Sequence, residues 1–152
     1  MKAPFLLGRI LFGGFFLYNG INHLKKAKDM APYAESKGVP APELAVKLSA
    51  VPLLIGGASL LLGVKPNLGA LAIFSFLAGV SPVMHDFWRN ENPEERMKNM
   101  VDFMKNAALA GGALALMGVD EPWEASVPVE QLKPGQPKLA RKLRKLERKI
   151  AA

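Results

Sequence analysis

Long apolar stretches alternate with short charged ones over the first 118 residues. Residues 3–24, 44–64 and 68–84 contain only two full charges, Arg9 and Lys47. Each stretch approaches the roughly 20 helical residues that are needed to cross a bilayer core. A fourth apolar stretch, residues 107–117, is shorter and must be extended back through residues 101–106 to cross. The pattern predicts an all-α integral membrane four-helix bundle.

Two other interpretations of these stretches are open. Helices of a soluble bundle should carry a polar face every 3.6 residues, and the second and third stretches are apolar all round. The first stretch could be a cleaved signal peptide with Lys2 as its basic start, but no cleavage-like site of small residues follows it. A retained first helix is therefore favoured.

The connections between the stretches carry their own helix signals. Residues 33–42 predict a short interfacial helix that Gly38 ends, before two prolines restart the chain. Residues 65–67 predict a tight turn between the second and third crossings. Asn92 predicts the N-terminal cap of a helix whose first turn is acidic, either the fourth helix itself or a separate lead-in helix before it.

The composition changes after Met117. Residues 1–118 are expected to form the transmembrane domain, and residues 119–137, with four prolines, a connector. Residues 138–152 predict a basic amphipathic helix that docks on an anionic leaflet, on a partner or on nucleic acid. A membrane bundle upstream favours the leaflet or a partner subunit, and a solvated tail is the simpler alternative. The predicted docking residues are Arg141, Lys142, Arg144, Lys145, Arg148 and Lys149.

The composition excludes several kinds of site. The chain has no cysteine, which excludes disulfides, thiol redox chemistry, cysteine-bound zinc and iron–sulfur clusters. It has only 2 histidines and no spacing typical of metal ligands, so no metal site is expected. No phosphate-binding glycine loop and no credible Ser/His/Asp order is present. These features argue against an enzyme.

Polar side chains gather at one end of the predicted bundle. With four crossings, the ends of the first and third helices and the start of the fourth share one membrane face. Asp86 can pair there with Lys105, unless Asp102 takes the same lysine. The cluster can bind a ligand such as a quinone headgroup, or can simply anchor helix ends at the interface. Its members are Asn19, Asn22, His23, His85, Asp86, Trp88, Lys105 and Asn106.

Five segments resemble the DoxX family of small four-helix bacterial membrane proteins. They follow the family's order and spacing and cover about residues 5–118. They are GRILFG at 8–13, YAESKGVPAP at 33–42, IGGASLLLG at 55–63, HDFW at 85–88 and KNAALAGG at 105–112.

The chain departs from the family pattern in two places. Leu53 stands where many members carry a glutamate, which puts any proton or cation role of that glutamate in doubt here. The tail beyond residue 118 lies outside the common pattern. The resemblance implies the fold and a loose link to redox balance, without a general enzymatic activity.

Together, pattern and resemblance predict a non-catalytic accessory subunit of a larger, redox-linked membrane complex. The alternative is a membrane redox protein that binds a quinone or another small molecule at the polar end, with quinone the one cofactor considered. Expected partners are the lipid bilayer and other membrane subunits, not nucleic acid. The expected location is the cell inner membrane, multi-pass. The basic residues of the first and third loops favour an orientation with the polar end in the cytoplasm by the positive-inside rule. The basic tail favours the reverse, because it gains energy at the anionic inner leaflet, and both termini are therefore expected in the cytoplasm.

Overall fold

The computed structural model describes residues 3–123 and residue 126, and every regular element in them is helical. The helices are α1 (Ala3–Lys25), α2 (Ala27–Ser36), α3 (Pro42–Leu62), α4 (Pro66–Met84) and α5 (Pro93–Met117), with a short 3-10 helix at Phe87–Arg89 before α5. The all-helical prediction is confirmed. The predicted basic helix and its docking residues lie outside the described residues.

Three helical stretches of the described chain are long and apolar enough to cross a membrane: Ala3–Lys25, Pro42–Leu62 and Pro66–Arg89. Their outward side chains are large and apolar, as with Leu11 at 64% and Leu68 at 60% exposure. Such surfaces suit lipid and not water. The helix α5 is not among the three, because its first half carries many charges. The fourth crossing stays a prediction.

Glycines bring the crossing helices close together. A side chain at Gly57 on α3 would collide with the backbone of α1 at Gly13 and Leu17. A side chain at Gly56 would collide with Gly69 of α4. Because lipid gives helices no hydrophobic reason to pair, such close backbone approach is a usual source of their association. The order of packing is α1 on α3, α3 on α4 and α4 on α5.

The turn between α3 and α4 reverses the chain within three residues and requires left-handed backbone conformations. Gly63 has φ 67° and Lys65 has φ 46°. The Ser59 hydroxyl lies 2.7 Å from the Val64 carbonyl oxygen and 3.0 Å from that of Lys65, so it stabilises the turn. The hairpin predicted at this position is therefore present, with α3 ending two residues earlier than the apolar pattern suggested.

The helix predicted in the first connection is present but begins earlier, at Ala27 instead of Tyr33. Gly38 ends it as predicted, with φ 74°. The Gly38 N–H donates to the Glu35 carbonyl, and the Val39 N–H donates to the Ala34 carbonyl. These two bonds satisfy carbonyls that the helix end would otherwise leave open.

The predicted cap of the last helix is also present. The Asn92 side chain accepts from the Glu94 N–H at 2.9 Å and more weakly from the Glu95 N–H at 3.5 Å. From Pro93 the chain continues as one helix of 25 residues, so no separate lead-in helix precedes the apolar part.

The end of the bundle opposite the polar cluster is closed by Arg9 and Trp123. The Arg9 side chain is buried and donates to the Leu61 carbonyl of α3 at 3.4 Å. Trp123 is 3% exposed, and its ring lies edge-on to Phe5 with 5.1 Å between centroids. The first residues of the predicted connector thus pack against the core.

Candidate functional site

The amphipathic helix α2 lies against the polar end of the crossing helices. Its buried side chains are two alanines, Ala27 and Ala34, which pack with Val46 of α3. Two polar contacts tie α2 and the turn after it to the end of α4. The Tyr33 hydroxyl donates to the Met84 carbonyl at 2.9 Å, and the Lys37 ammonium lies 2.5 Å from the Asp86 carboxylate.

Two neighbouring cavities lie beneath α2. The larger, of about 460 Å³, is lined by α2, α3 and α4, together with His23 from α1. The smaller, of about 310 Å³, is lined by all five helices. Both volumes lie in the range of small-molecule sites, which are mostly apolar with a few placed polar groups. The two share five lining residues: His23, Met30, Tyr33, Val80 and Met84.

His23 lines both cavities, as does Tyr33, whose hydroxyl is hydrogen-bonded to the Met84 carbonyl. The His23 Nδ1 lies 2.7 Å from the Ser49 hydroxyl oxygen on α3. Its ring lies edge-on to Phe76 of α4, with 6.0 Å between centroids. The ring is therefore held from two sides, by a hydrogen bond and by an aromatic contact.

Three more of the predicted residues line the smaller cavity: Asn19, His85 and Asn106. The Asn19 amide group donates back to the Phe15 carbonyl at 2.7 Å, which leaves its oxygen available. The His85 Nδ1 is buried and has no hydrogen-bond partner among the described residues. Together with His23, these are four residues of the predicted cluster, from α1, α5 and the end of α4, that line one cavity.

The other predicted residues lie elsewhere. Asn22 and Asp86 line neither cavity. Trp88 is 52% exposed and contacts Phe87 and Phe103 in edge-on aromatic pairs.

The ion pair that was considered between Asp86 and Lys105 does not form. Lys105 instead pairs with Asp102 at 3.0 Å, one helical turn earlier on α5. Its side chain is 66% exposed. A partner three residues away on the same helix is always within reach, whereas Asp86 lies on another element and is taken by Lys37. Lys105 is therefore a surface residue and not part of the site.

The sequence-based prediction of the site did not include Tyr33 and Ser49, which line the cavities, or Lys37, which pairs with Asp86 beside them. In the sequence, Tyr33 and Lys37 belong to the loop segment that resembles the family, and Ser49 lies inside an apolar stretch. Ser49 follows His23 by 26 positions, and no periodic signal relates residues on different helices. Among the described residues, no cluster of three or more histidines and acids could hold a metal ion.

Comparison with known families agrees with the resemblance of the sequence. The family model described as DoxX matches residues 5–86, which is more than half of the chain. Neither the curated proteins nor the solved structures provide a match. The matched region runs from α1 to the end of α4 and includes His23, Ser49 and His85. The chain belongs to the DoxX family, and its apolar helices make it a membrane protein.

Proposed function

We propose that this DoxX protein binds a small, largely apolar molecule in the two cavities at the polar end of its helices. The carrying observation is that His23 faces both cavities while Asn19, His85 and Asn106 converge on the smaller one. Apolar walls with a few convergent polar groups are the usual composition of a small-molecule site. A quinone headgroup is one candidate of that chemistry.

The larger cavity offers a route from the membrane. It lies between α2, α3 and α4, and Gly79 and Val83 in its wall are exposed. An apolar molecule dissolved in the bilayer can enter beside these residues without crossing water. The ties from α2 to Met84 and Asp86 hold this wall in place.

A cavity-filling variant tests the proposal. Val80 lines both cavities, so Val80→Trp should fill them and exclude a ligand. Leu71→Trp is the matched control, because Leu71 lies on the same helix, is exposed and lines neither cavity. Native mass spectrometry of protein extracted gently from its membranes should show a small-molecule adduct on the wild type and on Leu71→Trp. Loss of the adduct in Val80→Trp supports the site, whereas the same adduct on all three proteins, or on none, contradicts it.

The second candidate function is the accessory subunit, and the outward face of α5 favours it. Ala107, Gly111 and Ala115 recur every four residues, and all three are exposed. A side chain at Gly111 would meet nothing within 4 Å, so no other described residue packs closely on this row at Gly111. Rows of small residues allow another helix to approach closely in a membrane.

Measuring the native size of the extracted protein distinguishes a subunit of a complex from a protein that acts alone. If the chain is a subunit, mild extraction should yield a complex with a stoichiometric partner that Gly111→Leu dissociates. Gly14→Leu is the control, since a side chain at Gly14 also meets nothing within 4 Å. A monomeric wild type under these conditions, or a complex that both variants leave intact, contradicts the subunit hypothesis.

The proposal places the protein in the inner membrane with four crossings and cytoplasmic termini. The fourth crossing is the part of α5 from residue 101 to residue 117, where Lys105 is near enough to the interface to extend toward water. The basic residues after 138 favour the anionic inner leaflet. Fusions of alkaline phosphatase and of a fluorescent protein to the C-terminus test this. A fluorescent fusion with inactive phosphatase agrees with the proposal, and the reverse contradicts it.

A further inference from the structure

The hydrogen bonds around His23 determine which of its ring nitrogens carries the proton. The Ser49 hydroxyl oxygen lies 2.7 Å from the Val46 carbonyl oxygen and 2.7 Å from the His23 Nδ1. A serine hydroxyl has one proton, and a carbonyl can only accept. Ser49 therefore donates to Val46, because two oxygens at that distance would otherwise repel each other. His23 must then be the donor in the other contact, with its proton on Nδ1.

A neutral histidine with its proton on Nδ1 carries a lone pair on Nε2. This Nε2 makes no hydrogen bond to the described residues and is not fully buried, and the His23 side chain lines both cavities. The site thus presents an acceptor at this point. A molecule that only accepts hydrogen bonds, such as an ether or a ketone, cannot satisfy it. The oxidised quinone headgroup named above as a candidate is such a molecule, so the His23 tautomer narrows the proposed ligands to hydrogen-bond donors.

The residues that surround His23 limit which kind of hydrogen-bond donor can bind to its Nε2. Among the described residues, Asp29 is the one acidic residue that lines either cavity, and it lines only the larger one. A cationic ammonium that donates to His23 from within the smaller cavity would therefore find no counter-charge in its wall. Three phenylalanines, Phe15, Phe16 and Phe76, form part of its wall. Phenyl rings pack well against another flat ring in edge-on or offset geometry. A neutral hydroxyl on an aromatic ring meets both conditions.

We infer that the ligand of this site is a phenol with an apolar substituent, whose hydroxyl donates to the His23 Nε2. The inference rests on the proposed function, since it presupposes that the cavities hold a molecule. The phenol ring lies among the phenylalanines of the smaller cavity, and the apolar substituent extends into the larger one. The phenol oxygen can in turn accept from the Asn106 amide, which makes no hydrogen bond to the described residues.

Binding of nonylphenol and of its methyl ether to the full-length protein in lipid nanodiscs tests the inference. The two probes have nearly the same shape, and the ether lacks only the donor. Equilibrium dialysis against protein-free nanodiscs corrects for partition into lipid. The wild type should bind the phenol roughly tenfold more tightly, the loss expected when a buried acceptor is left without a partner.

Three variants test whether His23 causes the preference for the phenol over its ether. His23→Phe should bind both probes about equally, because it keeps a ring and loses the acceptor. Ser49→Ala should lower the preference several-fold by releasing the tautomer, and Ser49→Thr should keep it by retaining a hydroxyl. Nitrogen NMR of the wild type reads the tautomer directly and should show the proton on Nδ1, independently of how any variant folds.

The same measurements distinguish an error in the inference about the donor from an error in the proposed binding site. If the wild type binds phenol and ether equally and Val80→Trp blocks both, the cavities bind ligand and the donor inference is wrong. A proton on the His23 Nε2 also overturns the inference. If neither probe binds saturably, or Val80→Trp binds both as the wild type does, the proposed site itself is wrong.

Discussion

The contact between α1 and α3 at Gly57 predicts a large effect from one methyl group. A Cβ at position 57 would lie 2.5 Å from the backbone nitrogen of Leu17 and 2.7 Å from the carbonyl oxygen of Gly13. Both obstacles are backbone atoms of a continuous helix. No side-chain rotation can relieve them, so Gly57→Ala must push the two helices apart.

The distance by which the two helices must separate sets the free-energy cost of Gly57→Ala. Ordinary contact begins near 3.4 Å, so the helices must separate by roughly 0.9 Å, a gap that forfeits a quarter to a half of the dispersion energy of each contact across it. Overpacking of this kind costs about 1–3 kcal/mol, against a gain of up to about 1 kcal/mol from replacing a helical glycine by alanine. Because the clash is with backbone, we expect a net loss of about 2 kcal/mol in the free energy of unfolding.

Gly14→Ala is the matched control for this prediction. It makes the same chemical change on α1, where a Cβ would meet nothing within 4 Å. Unfolding in mixed micelles with increasing sodium dodecyl sulfate, followed by circular dichroism, should give a lower midpoint for Gly57→Ala and an unchanged or higher one for Gly14→Ala. Equal midpoints for the two variants would refute the close approach of α1 and α3.

Three further predictions follow from other parts of the chain. Lys37→Ala should speed hydrogen exchange across α2 by removing its tie to Asp86, and exchanging the two charged residues should restore slow exchange; unchanged exchange in the single variant contradicts the tie. Trp123→Ala should lower the free energy of unfolding by about 3 kcal/mol, as for a buried aromatic residue, and no change would mean that residues 119–123 do not belong to the folded core. Cysteines placed at Lys2 and at Ala152 should react with an impermeant reagent from the same side of the membrane, whereas labelling from opposite sides excludes four crossings.

Much of the helix arrangement could be predicted because apolar length is a local property of the sequence. The three candidate spans begin and end within about two residues of the apolar stretches at most of their ends. The start of α5 at Pro93 follows from the Asn92 cap. The start of α2 is harder to predict, since this helix buries only two alanines and its first turn contains lysine and aspartate, which are also common in loops.

From the sequence, site residues could be predicted only from their shared depth in the membrane. Counting crossings put His23 and His85 on the same face, and both line the smaller cavity. Depth does not tell which helices are neighbours within the membrane plane. The contact between His23 and Ser49 and the pairing of Asp86 with Lys37 depend on that lateral arrangement, which arises from glycine contacts such as Gly57 against α1.

Photoaffinity labelling in native membranes tests most directly the claim that the polar-end cavities bind a small apolar molecule. The probe is an alkylphenol that carries a diazirine on its chain, and labelled positions are mapped by mass spectrometry. We predict labels on the end of α1, on α2 and on the second half of α4, around residues such as His23, Tyr33 and Val80, and their loss in Val80→Trp. Labels spread over lipid-facing residues such as Leu11 and Leu68, and unchanged in Val80→Trp, would contradict the account.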